Sequence, residues 1–358
     1  MRLVLRPGSL AVSLRHPVRI AVALALLTAT AAGGMGADAA EVSDIAGVSG
    51  EVASWVIPAV PRAMRQASGE ARPAREAIIV AAGDIACDPS NPLFNGGAGT
   101  SEWCRAADTE RSIRRLDPDA VLVLGDAQYD VGRYAAFQRS YDLSWGRQIW
   151  RTFPVVGNHE YHVSSTARGY FDYFGRRAGH RGEGWYSFDI GRWHLVALNS
   201  NCTMVGCARG SAQYRWLRRD LQRSRSACSL AYMHHPLASS GPHGDEDSGM
   251  APLWRLLYRD GLDVALASHD HTYERFAPLR PNGVRDLKAG IRSFVVGTGG
   301  AQHYWIEQVR PNSQVRNANT FGLLRMELGR GSFRWRFVPA AGGTFTDRGV
   351  GSCHGAPE

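Results

Sequence analysis

The 358-residue sequence predicts an α/β fold. Three observations carry that expectation. Apolar runs of strand length alternate with segments whose apolar residues recur at helical spacing, the pattern of a layered α/β domain. Five of those runs are followed within two residues by Asp, Asn or His. In α/β sheets ligands bind just beyond the carboxyl ends of the strands, and core packing alone asks for no polar residue there. The composition, 44% hydrophobic and 21% charged, is that of an ordinary globular core.

In chain order, residues 1–39 stand apart from that core. Arg2, Arg6, Arg15 and Arg19 precede an apolar run over 20–32, and Ala37-Asp38-Ala39 fits a small-x-small cleavage site. This is the pattern of a secretory signal peptide, with an uncleaved anchor as the alternative. The run falls short of the about 20 residues that a membrane span needs, so no stable span is expected after cleavage. Without an Arg-Arg pair ahead of it, the general secretory route is favoured over the twin-arginine one. Residues 40–75 mix Ala, Pro, Arg and Ser without periodicity and are expected to be a leader or linker, with a short element near 52–57. A catalytic domain is expected over 76–340 and a tail over 341–358.

Within the domain, 77–82 is a strand ending in Gly83-Asp84, and a Gly-rich loop follows. Residues 105–116 have helical spacing and stop at Pro118. The strand 120–124 ends in Gly125-Asp126, and 153–156 ends in Gly157-Asn158-His159-Glu160. Residues 185–190 and 193–198 alternate about Gly191 and read as a hairpin. A basic amphipathic helix over 213–222 leads to a strand over 230–233 that runs into His234-His235. A helix over 253–258 leads to the strand 264–267 and then Ser268-His269-Asp270-His271. Further strands are expected over 293–296, 323–328 and 333–338, with Gly297-Thr298-Gly299-Gly300 as a tight turn; that turn lacks the Lys of a P-loop.

Six cysteines in an exported chain imply three disulfides, for which 15 connectivities exist. Local spacing pairs Cys202 with Cys207 and Cys87 with Cys104, leaving Cys228 for Cys353. Thiolate metal binding is the alternative, although no C-x-x-C occurs. The formal net charge of +8 falls to +5 once the four Arg and one Asp of residues 1–39 are removed. A mild basic excess attracts anions such as phosphate esters. No Lys/Arg run interleaved with aromatics marks a nucleic-acid binder.

The strand-end residues Asp84, Asp126, Tyr129, Asn158, His159, His234, His269 and His271 mix hard oxygen donors with imidazoles. That mixture suits Zn, Fe or Mn. Too numerous for one ion, the donors divide over two that share a carboxylate, the clamp used for displacement at phosphorus. Singly, Asp84, Asp126 and Asn158 could be turn formers and Tyr129 a packed aromatic.

As a series these blocks, Gly83-Asp84, Gly125-Asp126-Ala127-Gln128-Tyr129, Gly157-Asn158-His159-Glu160, Tyr232-Met233-His234 and Ser268-His269-Asp270-His271, resemble those of the calcineurin-like metallophosphoesterase superfamily. Tyr129 and the tail Tyr273-Glu274-Arg275 resemble its purple acid phosphatase branch. The resemblance implies two packed β-sheets flanked by helices, with the site at the sheet edge. It implies that Asp84, Tyr129 and His271 hold one metal, that Asp126 bridges, and that Asn158, His234 and His269 hold the second. It implies ferric iron at the tyrosine site and Zn, Mn or Fe(II) at the other. His159 would contact the substrate phosphate and act as general acid, and His235 is a candidate substrate or supporting contact. The first block departs from the commoner Gly-Asp-x-His in having Ala86, a loss Tyr129 can fill, and Ser268 replaces the usual Gly. His162, His243 and His303 are expected to be loop histidines, the second in an acidic loop over 242–247 that could reach the site.

The expected function is an exported phosphomonoesterase in which metal-bound hydroxide attacks the phosphorus of a small phosphate ester. The product would be released outside the cell or in its envelope. The alternative is a phosphodiesterase acting on nucleotides or phospholipid headgroups at the same site. A metal-binding module without catalysis is disfavoured because Asp126 and His159 are both present, and a serine hydrolase because no Gly-x-Ser-x-Gly elbow occurs.

Overall fold

The computed structural model describes residues 76–355 apart from 245 and 247. The expected signal (1–39) and leader (40–75), with its short element near 52–57, lie outside the described residues. Along the chain come β1 (Ala77–Ala82), α1 (Ala106–Leu116), β2 (Ala120–Val123), α2 (Tyr134–Arg139), β3 (Thr152–Pro154), α3 (Arg168–Phe174), β4 (Tyr186–Ile190) and β5 (Trp193–Ala197). They are followed by α4 (Cys202–Val205), α5 (Ala212–Arg223), β6 (Cys228–Tyr232), α6 (Ala251–Arg259), β7 (Val264–Ala267) and β8 (Tyr273–Leu279). The last five are β9 (Ile291–Val296), β10 (Ser313–Asn317), β11 (Gly322–Leu328), β12 (Ser332–Pro339) and β13 (Arg348–Ser352).

Two sheets form, in the orders β13-β12-β11-β1-β2-β3 and β10-β8-β9-β7-β6-β5-β4. Each has a parallel run, β1-β2-β3 at one end of the first and β5-β6-β7-β9 in the middle of the second. Parallel strands are covered on both faces, which is why they read as unbroken apolar runs. One core is shared by the sheets: Ile79 and Leu122 of the first pack in the same cluster as Trp193, Leu195, Leu230 and Leu266 of the second. Ile113 of α1 joins that cluster. On the second sheet's other face, Val196, Ala231 and Ala265 pack with Leu217 of α5 and Leu253, Trp254 and Leu257 of α6. The expected pair of packed sheets with flanking helices is therefore observed.

Strands β8, β10 and β13 are not among the expected elements. Strand β8 carries buried Glu274 beside Arg275, which hides its apolar pattern. Strand β13 reads Arg-Gly-Val-Gly-Ser. Its glycines are dictated by the neighbouring strand: a Cβ at Gly349 would lie 2.2 Å from the Trp335 ring, and one at Gly351 2.3 Å from Phe333. Part of the expected tail is thus an edge strand. The three disulfides are Cys87–Cys104, Cys202–Cys207 and Cys228–Cys353, as the spacing indicated. With no free cysteine among the described residues, the thiolate reading is excluded there.

Candidate metal centre

The carboxyl ends of β1, β2 and β3 in one sheet meet those of β6 and β7 in the other. Main-chain bonds knit the loops together: Asp84 N–H donates to Gly125 O (3.2 Å), Ser268 N–H to His234 O (2.9 Å) and Gly83 N–H to Val296 O (2.9 Å). Asp84, Asp126 and His269 adopt left-handed backbone, with φ of 58°, 45° and 72°. Such conformations cost on the order of 1–3 kcal/mol each in a residue with a Cβ, and they persist where function requires them. Gly157 must be glycine for a different reason, since a Cβ there would lie 2.0 Å from Asp126 Oδ1.

All seven expected ligands come together, and their lone pairs face one another. Tyr129 Oη lies 2.7 Å from Asp84 Oδ1, 3.0 Å from Asp126 Oδ2 and 2.8 Å from His271 Nε2. Its single proton cannot serve all three. His234 Nε2 lies 2.8 Å from Asn158 Oδ1, 3.3 Å from Asp126 Oδ2 and 3.1 Å from His269 Nδ1. Asp126 Oδ2 belongs to both groups.

The outer ring nitrogens are already committed. His234 Nδ1 donates to Leu124 O (3.0 Å), and His271 Nδ1 donates to Gln302 O (2.8 Å). His269 Nε2 donates to Glu246 Oε2 (3.0 Å). Each therefore turns a lone pair inward, the arrangement of metal-ligating histidines whose second nitrogen is held by an acceptor. Burial opposes a charge on His234, yet Asp126 and Asp84 push its pKa up to about 9. Burial would also raise the carboxyl pKa values, but His234 and His159 hold Asp126 well below its usual range, and His271 and His234 hold Asp84 down. Burial, Asp126 and Asp84 push the Tyr129 phenol well up, so only a nearby cation would ionise it. The donor set fits two cations, with Asp126 between them.

Supporting residues are less visible in the sequence. Glu160 is buried, and its carboxylate accepts from the N–H groups of Gly157 (2.7 Å), Ala127 (2.8 Å) and Asp126 (3.2 Å). Burial and the Asp126 charge push its pKa up to about 8. With N–H donors on both oxygens, the carboxylate is the form that fits. Ser268, in place of the usual glycine, donates to Leu124 O (2.6 Å) and lies 3.0 Å from His234 Nδ1. The Tyr273-Glu274-Arg275 tail lies in β8 and anchors the fold: Tyr273 and Arg275 bind Asp347, and Glu274 accepts from Ser240.

Around this cluster stands a ring of imidazoles. His159 lies with its Nε2 3.9 Å from Asp126 Oδ2, while its Nδ1 donates to Asp130 O (2.7 Å). His162 shares that carbonyl (3.1 Å) and packs 4.2 Å from the His159 ring. His235 is bonded to Ser200 Oγ (2.8 Å) with its ring 4.5 Å from His269; burial, then His234 and His269, push its pKa down. The loop of His243 does reach the site: its ring lies 4.5 Å from His269, and Asp270 Oδ1 accepts from its Nδ1 (2.8 Å). His303 packs on Phe321, with Nδ1 donating to His271 O (3.2 Å). The Asp270–His243 pairing carries no sequence signal, because 27 residues separate the partners.

The chain matches the family described as calcineurin-like phosphoesterase over residues 42–273. It is 30% identical over 221 residues to purple acid phosphatase 21 of Arabidopsis thaliana, covering 57% of this chain and 48% of that one. To human acid phosphatase type 7 it is 25% identical over 270 residues, covering 63% and 60%. The chain thus spans about half the length of the curated relatives it matches. Among solved structures, the purple acid phosphatase PPD1 from yellow lupin seeds superposes with a TM-score of 0.65 at 19% identity, covering 78% of this chain and 54% of that one. At that identity the likeness is one of fold.

Proposed function

The chain belongs to the calcineurin-like phosphoesterase family, and from that premise we propose that it is an exported, two-metal hydrolase of phosphate monoesters. One observation carries the reading: the lone pairs of Asp84, Asp126, Tyr129, Asn158, His234, His269 and His271 converge with too few protons to separate them. Asp84, Tyr129 and His271 would hold one ion, Asn158, His234 and His269 the other, and Asp126 both. A phenol oxygen among the ligands favours ferric iron at the first position, and Zn, Mn or Fe(II) suits the second. Bound there, the pair supplies Lewis acidity to the phosphoryl oxygens and to an attacking water. The chain's own part is orientation and proton supply. Because His159 Nδ1 is occupied by Asp130 O, its Nε2 is the atom that would protonate the departing alkoxide. His235 and His243 stand where they would contact phosphate oxygens. Export is supported by the three disulfides, which persist in oxidising compartments.

The test is Asp126→Asn. Hydrolysis of a simple aryl phosphate is expected to fall at least about 100-fold, the size of loss seen when a transition-state charge stabiliser is removed, and bound metal is expected to fall with it. Near-normal turnover in that variant sinks the assignment. Rates on a monoester and a diester of one phenol identify the ester class.

A further inference from the structure

Trp305 stands 61% exposed beside the metal centre. Single exposed apolar side chains are ordinary, but this one is held in place. Tyr304, its neighbour, donates its N–H to His271 O (3.2 Å) and stacks on the His271 ring at 3.9 Å, with 11° between the planes. It also lies 5.4 Å from the His243 ring. The Trp305 ring is 6.4 Å from Tyr304. Its indole N–H is spent on Glu307. The segment beyond is fastened to the opposite loop, with Glu307 and Gln308 N–H donating to Ser240 O (2.7 and 3.1 Å) and Arg310 N–H to Ser240 Oγ (2.9 Å).

We propose that Trp305 is the platform of a leaving-group subsite that takes a flat aromatic ring, such as the phenyl of an aryl phosphate or the base of a nucleoside monophosphate. The proposal rests on the phosphatase reading of the neighbouring centre. With its N–H used, the indole has only its π-face to offer a ligand, and that face favours rings over alkyl chains. Aromatic pairs prefer centroid separations of roughly 4.5–7 Å. Tyr304, committed to His271, forms the wall between the platform and the reacting phosphorus. Glu307, exposed and bonded to the indole N–H, puts a negative charge beside the platform, so a neutral ring suits it better than a second phosphate.

Two measurements on the metal-loaded protein test this. The first compares kcat/KM for phenyl phosphate and 5′-AMP with that for glycerol 2-phosphate. In Trp305→Ala the ratio of aromatic to alkyl efficiency is expected to fall about tenfold, within the range for loss of a stacking partner. Trp305→Phe should restore most of it. An unchanged ratio overturns the proposal. The second is calorimetric binding of phenylphosphonate against methylphosphonate, which needs no turnover. The phenyl compound should bind the wild type more tightly, and Trp305→Ala should abolish that preference. Absence of a phenyl preference in the wild type overturns the subsite. A Trp305-dependent preference in a protein that hydrolyses no ester would leave the subsite standing and remove the phosphatase reading instead.

Discussion

His194 on β5 shows how a single side chain can set a pH dependence far from the catalytic centre. Its Nδ1 lies 2.8 Å from Asp189 Oδ1 and its Nε2 2.9 Å from Asp220 Oδ2. A neutral imidazole has one N–H and cannot donate to both. Burial works against the charge, but the hydrogen bonds and charges of Asp220 and Asp189 raise its pKa above the ordinary value. A pKa raised on folding stabilises fully below the unfolded value of about 6.5, and the contribution fades as pH climbs through the folded value. Wild-type protein is therefore expected to lose more stability than His194→Gln on going from pH 5 to pH 9. Denaturant melts at the two pH values read it; parallel losses in both proteins would refute it. At the centre, Tyr129 is the residue with a spectroscopic signature. Iron-loaded protein is expected to absorb in the visible through its phenolate, and Tyr129→Phe to be colourless. A fully active, colourless wild type carrying only zinc would refute the ferric assignment and spare the hydrolase.

Among the elements, the buried parallel strands were the most legible, because covered strands show as apolar runs and their polar ends show as interruptions. The loops after β1, β2, β3, β6 and β7 that carry the proposed ligands were readable for the same reason. What the sequence hid was whatever depends on contacts between distant segments. Strand β8 looked irregular because Glu274 is buried against Ser240. Strand β13 looked like a loop because Trp335 and Phe333 of the adjoining strand leave room only for glycine. His243 read as a loop histidine because its partner Asp270 lies in another block, and Glu160 gave no hint that main-chain N–H groups would gather on it. One covalent link joins elements of different sheets. Cys228 opens β6 and Cys353 follows β13, with 125 residues between them. Replacing both by serine is expected to cost about 2–4 kcal/mol, and more than replacing the Cys202–Cys207 pair, which closes a loop of only 5. Equal shifts in the two unfolding midpoints would contradict the loop-length argument.

At the scale of the whole molecule, the proposed ligands divide between the two layers. Asp84, Asp126, Tyr129 and Asn158 follow strands of the first sheet, and His234, His269 and His271 follow strands of the second. Neither layer alone can assemble either cation position, since His271 completes the group around Tyr129 and Asp126 completes the group around His234. On the proposed two-metal reading, tight loading is therefore expected only in chains whose two sheets have packed together. In a metal-saturated preparation, the ratio of tightly bound ions to polypeptide is then expected to report how many chains have mated their halves, before a single turnover is counted.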